Sequence, residues 1–272
     1  NRMFMAACIF GVLSICCYMA CYKMSTERIA APVQAKGNAN LKATLKGLVK
    51  NKPLLWILAA SLLFMMNTML MGTVNVYLFK DYFQSAAALS IFAVVQTGAC
   101  FVAMPLVKPL VTKFGKKELA SVGLVLSAIM YFALFFLKDL TGMQFVAVAS
   151  VGMFGYAFFN IVVWAFVTDA LDYHELLTGL REDGTVYSVY SFARKIGQAI
   201  AGGIGGFAIG AVGYNAASGV QSQSTLDGIH MLGTLVPAIV FVVVLLILVF
   251  LYPLNKKRTD EMVAELTARR KK

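Results

Sequence analysis

The chain has 272 residues, of which 60% are hydrophobic and only 14% are charged, and its mean hydropathy is +0.76. About a quarter of the residues of a soluble domain are charged, so this composition excludes an ordinary soluble protein and also a disordered, collagen-like or coiled-coil chain. The net charge of +11 would suggest a nucleic-acid partner in a soluble protein. In a membrane protein, the first question is how the positively charged residues are distributed over the loops on the two sides of the membrane.

Apolar stretches long enough to cross a bilayer recur along the whole chain. A helix needs about 20 apolar residues to cross the hydrocarbon core, and lipid cannot satisfy the backbone of an open strand. The predicted fold class is therefore all-α, a polytopic membrane helix bundle with seven transmembrane helices. The predicted spans are residues 3–22, 54–79, 87–111, 119–137, 144–170, 186–213 and 231–252.

Most of the 24 Lys and Arg residues fall in loops on one side of these spans. That side contains the basic residues of segments 23–52 and 108–117, Arg181, and the tail after Pro253. Because cytoplasmic loops carry an excess of positive charge, this side and the C-terminus are predicted to be cytoplasmic. The basic residues then orient the chain in the membrane and contact anionic lipid, so no nucleic-acid partner is expected.

An odd number of spans with a cytoplasmic C-terminus places the N-terminus on the opposite side, so we expect an upstream portion with an odd number of helices. The predicted parts are a membrane helix in 1–24, a central cytoplasmic loop in 25–53, a six-helix bundle in 54–253 and a cytoplasmic tail in 254–272. The loop is either a linker with an interfacial helix, in which leucines such as Leu41 alternate with lysines, or a solvated connection.

Two adjacent cations, Arg194 and Lys195, lie well inside the sixth predicted span. A charge that faces lipid at this depth costs on the order of 3 kcal/mol. At least one of them is therefore expected to face a wet cavity or a carboxylate, and no Asp or Glu lies deep within a predicted span. The alternative is that the span begins one turn later, so that both cations lie at the interface.

Charged residues are dense between the fifth and sixth spans, where Asp169, Asp172, His174 and Glu175 precede Arg181. Such a loop is predicted to be a gate latch, in which carboxylates and an arginine pair with the opposite helix bundle in one conformation and release it in another. A solvated turn is the alternative interpretation. A membrane-embedded enzyme would use the same residues, but no nucleophile or pocket accompanies them, so no catalysis is expected.

Other polar and aromatic side chains within the spans are candidates for binding a sugar-like ligand, because amides bind hydroxyl groups and rings stack on sugars. They are Asn67, Asn75, Gln96, Gln144, Asn160, Trp164, Tyr187 and Tyr190. For each one alone, hydrogen bonding between helices or a place in the interfacial aromatic belt competes with this interpretation. The repeat of Gly202, Gly206 and Gly210 predicts close helix packing. Cysteine and histidine spacing indicates no metal site, and no cofactor is expected.

Several motifs together point to a known family. They are Thr168-Asp169-Ala-Leu-Asp172-Tyr173, Arg181, Tyr187-Ser188, Lys195, Ser25-Thr26-Glu27-Arg28 and Lys113-Phe-Gly115-Lys116-Lys117. They resemble the glycoside-pentoside-hexuronide:cation symporters, the major facilitator family that includes melibiose permease. The resemblance covers essentially the whole chain and implies that its spans are helices 6 to 12 of a twelve-helix transporter, the C-terminal half.

The resemblance implies cation-coupled sugar transport by alternating access, with the substrate held between two helix bundles. Lys195 matches the family's sugar-site lysine, and the charged loop matches the family's cytoplasmic gate region. The substrate-binding candidates are Lys195, Tyr190, Ser191, Arg194, Asn160 and Trp164. The gate candidates are Asp169, Asp172 and Arg181.

The family's cation-site aspartates belong to N-terminal helices, so Na⁺ or H⁺ is expected to bind on a missing N-terminal bundle. The expected partners are a small sugar, the coupling cation, membrane lipids and that bundle, and the expected location is the bacterial inner membrane. Arg194 stands where melibiose permease has an apolar residue, and a second cation favours acidic sugars such as hexuronides. The alternatives are a major facilitator transporter of a non-sugar substrate and an inactive structural scaffold.

Overall fold

The computed structural model of the protein describes residues 2–26, 47–179, 181–218 and 220–270. The described residues fall into two compact units, one within Asn1–Asn38 and the other within Ala39–Lys272. The first unit contains α1 (Arg2–Met24), a single apolar helix. The predicted interfacial helix around Leu41 and most of the predicted central loop lie outside the described residues.

The second unit is a bundle of helices, and its described residues contain no strand. The helices are α2 (Lys52–Tyr77) with a π-helical turn (Leu78–Tyr82), α3 (Ala86–Phe114), α4 (Lys116–Phe136), α5 (Gly142–Thr178), α6 (Asp183–Ala211), α7 (Gln223–Leu246) with a π-helical turn (Ile247–Leu251), and α8 (Lys256–Arg270). The prediction of an all-α helix bundle is confirmed.

Short polar residues and glycines set the ends of these helices. The Asn51 side chain accepts a hydrogen bond from the Leu54 amide and so satisfies a backbone donor in the first turn of α2. Gly115 separates α3 from α4 with a φ of +109°, and Gly179 ends α5 with a φ of +71°. Both backbone conformations favour glycine, because a Cβ atom would clash there.

Six helices in the described part of the chain are long and apolar enough to cross a membrane. They are Met3–Met24, Lys52–Tyr82, Ala86–Phe114, Lys116–Phe136, Gly142–Thr178 and Gln223–Leu251. The remaining predicted span, residues 186–213, forms α6, which has 29 residues but is not among the six. Its Arg194, Lys195 and Gln198 lower its hydropathy. Because α6 packs along α2, it belongs to the same bundle despite its lower hydropathy.

Helices α4 and α5 cross at close range, because two glycines face each other. A Cβ atom added at Gly123 would collide with the carbonyl oxygen of Gly155, and one added at Gly155 would collide with the carbonyl oxygen of Gly123. Beside them, the Ser127 hydroxyl donates a hydrogen bond to the Gly152 carbonyl oxygen over 2.8 Å. Small residues allow this approach of two backbones, which is a common way of packing membrane helices.

Gly155→Ala is expected to lower the free energy of unfolding by about 1–3 kcal/mol, because the added methyl group forces two backbones apart. Gly72→Ala is the matched control, since a Cβ atom at Gly72 would meet nothing within 4 Å. That control is expected to keep or slightly raise stability, because alanine favours a helix by about 1 kcal/mol over glycine. Thermal unfolding of the purified protein in detergent measures both. Equal stability of the two variants would contradict the close crossing.

The glycines of α6 contribute unequally to packing within this unit. A Cβ atom added at Gly205 would lie 2.9 Å from the Thr73 hydroxyl oxygen, so Gly205 makes a close contact with α2. Cβ atoms added at Gly202, Gly206 and Gly210 would meet no described atom within 4 Å. Within the described bundle, the close packing predicted from this repeat is therefore made by Gly205 and not by the repeat itself.

Candidate substrate-binding surface and gate

Arg194 and two aromatic rings form a cluster between α5 and α6. The guanidinium carbon of Arg194 lies 4.9 Å from the centre of the Trp164 ring and 5.8 Å from the centre of the Tyr190 ring. The two rings meet edge to face, with centroids 5.4 Å apart. Trp164 is 47% exposed, whereas Tyr190 is buried. The aromatic faces hold the cation through its attraction to their π-electrons and leave the indole open to a ligand.

Tyr190 supports this cluster from inside the bundle. Its hydroxyl donates a hydrogen bond of 3.5 Å to the Ser61 hydroxyl oxygen of α2. The Tyr190 side chain has no exposed surface. In this conformation it therefore positions Arg194 but cannot contact a ligand itself. The adjacent candidate Ser191 is exposed on α6.

Lys195 is exposed next to the cluster but points in another direction. Its Nζ atom donates to the Gln198 side-chain oxygen on the same helix over 3.2 Å. Among the described residues, neither Lys195 nor Arg194 takes part in an ion pair. Both positive charges are therefore open to an anionic ligand or to an acidic residue outside the described part of the chain.

A cleft of about 350 Å³, mostly apolar but with amide and hydroxyl groups in its lining, lies beside Asn160, one helical turn before Trp164 on α5. Residues of α2, α3 and α5 line it: Thr68, Gln96, Thr97, Cys100, Phe101, Met104, Tyr156 and Asn160. Sequence reasoning names Gln96 and Asn160 but misses the hydroxyl groups. A lone threonine or tyrosine in an apolar helix has no periodic signal that separates a ligand contact from ordinary packing.

A cluster of charges lies at the end of α5 that is predicted to be cytoplasmic. Arg181 contacts Asp172 at 3.5 Å, Glu175 at 3.1 Å and Asp183 at 3.0 Å. The sequence interpretation placed Asp172 and Glu175 in a loop, but both lie on the last turns of α5. The predicted gate residues Asp172 and Arg181 are therefore in direct contact, with the cation in the α5–α6 connection and the acid on the helix.

Asp169, the third predicted gate residue, has a different partner. It is buried, and the Nζ atom of Lys116 lies 2.5 Å from its Oδ1 atom. Lys116 begins α4 directly after Gly115, where the chain turns between α3 and α4. This ion pair joins α5 to the α3–α4 turn, and it does not include Arg181.

Helix α8 covers the same end of the bundle. Its buried side chains include Met262 and Leu266. The Nζ atom of Lys256 donates to the Thr112 carbonyl oxygen near the end of α3 over 2.6 Å. In the same way Lys117 donates to the Tyr252 carbonyl oxygen, just after the last turn of α7, over 2.9 Å. The predicted tail therefore contains a helix that packs on the bundle and has lysine contacts beside it.

The groups in these clusters can bind polar and anionic ligands. Cations, amides and hydroxyl groups are present, and the parts of the chain that the structure describes contain no group of three or more His, Cys, Asp or Glu residues that could hold a metal ion. The surface of Trp164, Arg194 and Lys195 is suited to an anionic ligand with a ring that stacks.

Comparison with known proteins identifies relatives along almost the whole chain. A family described as "MFS/sugar transport protein" matches residues 1–256. A glucuronide carrier protein homolog of Escherichia coli is 29% identical over 97% of this chain and 57% of the relative. A putative sulfoquinovose importer of Salmonella typhimurium is 31% identical over 98% of this chain and 56% of the relative. A putative 2,3-dihydroxypropane-1-sulfonate exporter of Salmonella typhimurium is 29% identical over 97% and 58%.

The chain thus spans little more than half the length of the curated relatives it matches. The resemblance to sugar transporters of the major facilitator superfamily is confirmed, and the chain belongs to the MFS/sugar transport protein family.

Proposed function

We propose that this chain is the C-terminal part of a cation-coupled symporter that carries an acidic sugar across the bacterial inner membrane by alternating access. The helices of the second unit form one side of the substrate pathway, and an N-terminal helix bundle forms the other side. The C-terminus lies in the cytoplasm, as the basic loops indicate. Because the relatives are transporters, we propose no catalytic activity.

The observation that carries this proposal is the position of Arg194 on an exposed aromatic surface without a carboxylate partner among the described residues. A cation at this depth is costly unless a counter-charge or water satisfies it. A bound carboxylate or sulfonate supplies that charge, and the planar guanidinium group can bind it through two parallel hydrogen bonds. Trp164 offers a face on which the sugar ring stacks. Glucuronide and sulfonate, which occur in the names of two relatives, both carry an acidic group.

The coupling cation, Na⁺ or H⁺, is proposed to bind on the N-terminal bundle. Carboxylates described in this chain, such as Asp81 and Asp227, lie near the ends of the predicted spans, and Asp169 is already paired with Lys116. A hard cation such as Na⁺ needs oxygen ligands at the depth where the substrate is held, and the family resemblance places the aspartates in N-terminal helices. This chain then supplies substrate contacts and part of the gate.

The ion pairs at the cytoplasmic end supply the gate in this proposal. The contacts of Arg181 with Asp172 and Glu175, and of Lys116 with Asp169, join separate segments in the present conformation. Alternating access requires an element that has two discrete arrangements, and exchange of these pairs provides one.

Uptake by vesicles that contain the complete transporter tests the proposed function. We expect a labelled glucuronide to accumulate under an imposed Na⁺ or H⁺ gradient, and to do so faster than a neutral glycoside or a pentoside. The control is the same vesicle with the gradient dissipated by an ionophore. Absence of gradient-driven uptake of every sugar would contradict sugar symport. Faster uptake of the neutral glycoside would contradict only the preference for an acidic sugar.

An exporter of a small non-sugar anion is the second candidate. One relative is a putative exporter of 2,3-dihydroxypropane-1-sulfonate, and Arg194 could bind a sulfonate without a sugar ring. Vesicles preloaded with this sulfonate distinguish the two functions. Gradient-driven sulfonate movement without any glucuronide movement would favour the exporter.

A further inference from the structure

We propose that the cleft beside Asn160 is a second sugar subsite, which binds a neutral hydroxylated ring of a substrate whose acidic end lies at Arg194. The inference rests on the proposed function and makes it more specific. It assigns to the transporter an acidic disaccharide, in which a uronic acid is linked to a neutral sugar, in preference to a single acidic sugar.

The size of the cleft fits one sugar ring. Its volume of about 350 Å³ is at the lower end of the range of about 300–1,000 Å³ that small-molecule sites occupy. Apolar groups, including Phe101 and Met104, supply most of the surface, and amide and hydroxyl groups supply a smaller polar part. A pyranose has the same division, with apolar C–H faces and polar edges.

The polar groups of the cleft have unused hydrogen-bonding capacity. Thr68 donates to the Phe64 carbonyl oxygen over 2.8 Å, so the Tyr156 hydroxyl, 3.3 Å away, donates to Thr68 and keeps its own lone pairs free. The Gln96 amide has no hydrogen-bond partner among the described residues. An amide both donates and accepts, which matches sugar hydroxyl groups that do the same.

The charge of the cleft selects a neutral occupant. Every side chain that lines it is uncharged. An anion in this cleft would therefore have no counter-charge, and a metal cation would have no carboxylate ligand. The acidic part of a substrate is held instead by Arg194, where the described structure provides a cation on an exposed aromatic surface.

The helical register of α5 connects the cleft with the Arg194 cluster. Tyr156, Asn160 and Trp164 are spaced four residues apart, so their side chains lie along one stripe of the helix. At about 1.5 Å per residue, Asn160 is about 6 Å and Tyr156 about 12 Å from Trp164 along the helix axis. A disaccharide that lies along α5 therefore places one ring on Trp164 and the next ring in the cleft. A single ring on Trp164 can reach Asn160 at the near end of the cleft, but only a second ring reaches the groups about Tyr156 at its far end.

Two amide side chains make hydrocarbon an unfavourable neighbour for part of this surface, although Phe101 and Met104 in the same cleft are apolar and exposed. Gln96 and Asn160 lie within predicted spans, and an amide side chain facing hydrocarbon without a partner costs free energy. Residues at opposite positions on α3, such as Val94 at 71% exposure, are apolar and suit lipid. A hydroxylated ligand that hydrogen-bonds to Gln96 and Asn160 would remove this cost.

Binding selectivity in the complete transporter tests the subsite. The ligands are glucuronic acid and a disaccharide of glucuronic acid and xylose, and the measured quantity is the ratio of their affinities. In Gln96→Met, which keeps the side-chain volume but removes the amide, we expect the preference for the disaccharide to fall about tenfold. Arg194→Gln is expected to weaken both ligands and to leave the ratio nearly unchanged. Val94→Ala, on the opposite face of α3, serves as the control for a general effect on that helix.

An unchanged ratio in Gln96→Met would overturn the subsite, as would wild-type protein that prefers glucuronic acid. Failure of the proposed function gives a different result, because wild-type protein would then bind neither sugar.

Cys100 provides a second measurement that does not depend on a cleft substitution. It lines the cleft and is half-buried. For this measurement the other cysteines of the transporter are replaced by serine. We expect a saturating concentration of the disaccharide to slow alkylation of Cys100 by N-ethylmaleimide at least fivefold, because a ring bound in the cleft keeps solvent and reagent from the thiol. Glucuronic acid at saturation is expected to protect far less. Equal protection by both ligands, or protection by neither, would overturn the assignment.

Discussion

Arg194→Gln is expected to weaken binding of an acidic sugar about 10- to 100-fold. Charge-assisted hydrogen bonds contribute about 1.5–3 kcal/mol, and each 1.4 kcal/mol is about a tenfold change in affinity. A neutral glycoside should lose much less, because Trp164 still offers its exposed face to the ring. Isothermal titration of the purified complete transporter with the two ligands measures the difference.

Two further substitutions separate charge from geometry. Arg194→Lys keeps the positive charge but loses the planar group that stacks on Trp164, so an intermediate loss is expected. Arg258→Gln removes an equal charge from the exposed start of α8 and is expected to leave affinity unchanged. Equal losses for the acidic and the neutral ligand in Arg194→Gln would contradict the role of the guanidinium group.

Breaking the Lys116–Asp169 ion pair is expected to lower stability and to slow transport with ligand affinity retained. Removal of Lys116 leaves the buried Asp169 carboxylate uncompensated, which costs about 3–5 kcal/mol. Removal of Asp169 is expected to cost less, because the Lys116 side chain is 28% exposed and water can reach its ammonium group. Lys116→Met leaves the buried carboxylate of Asp169 alone, and Asp169→Leu leaves the ammonium group alone. Thermal unfolding in detergent, equilibrium binding and uptake rate measure the three effects.

The double variant Lys116→Met/Asp169→Leu distinguishes stability from gating. It leaves no buried charge, so most of the stability should return. Transport should stay slow, because no ion pair remains that can open and close. A double variant that is no more stable than the single variants would contradict the pairing, and a normal uptake rate would contradict its role in the gate.

Hydropathy was sufficient to predict most of the bundle, because an apolar run of sufficient length has few other structures available in a bilayer. It failed at one boundary where polar residues remain helical. Helix α5 continues to Thr178, beyond the predicted boundary at residue 170, since its charged last turns pair with Arg181 rather than form a loop. The predicted span 186–213 is helical as α6, although α6 is not among the six helices apolar enough to cross a membrane, and it packs along α2.

The candidate site was predicted as a set of residues but not as an arrangement. Trp164 and Arg194 were both named, yet their contact joins two helices and no local pattern reports it. Asp169 was grouped with Arg181 because they are close in sequence, whereas its partner Lys116 is 53 residues away. Contacts of this kind depend on which helix faces are adjacent in the bundle. The hydrophobic periodicity of a single helix does not contain that information.

The contacts of Lys117 and Lys256 with backbone carbonyl oxygens give these cations two successive roles. During synthesis, such lysines retain a segment on the cytoplasmic side and can reach anionic headgroups. Once the helices assemble, the ammonium groups satisfy acceptors near the ends of α7 and α3 that have no partner in their own helices. Replacement of either lysine would therefore change helix packing as well as loop charge, so its effect on topology cannot be separated from its effect on assembly by a single substitution.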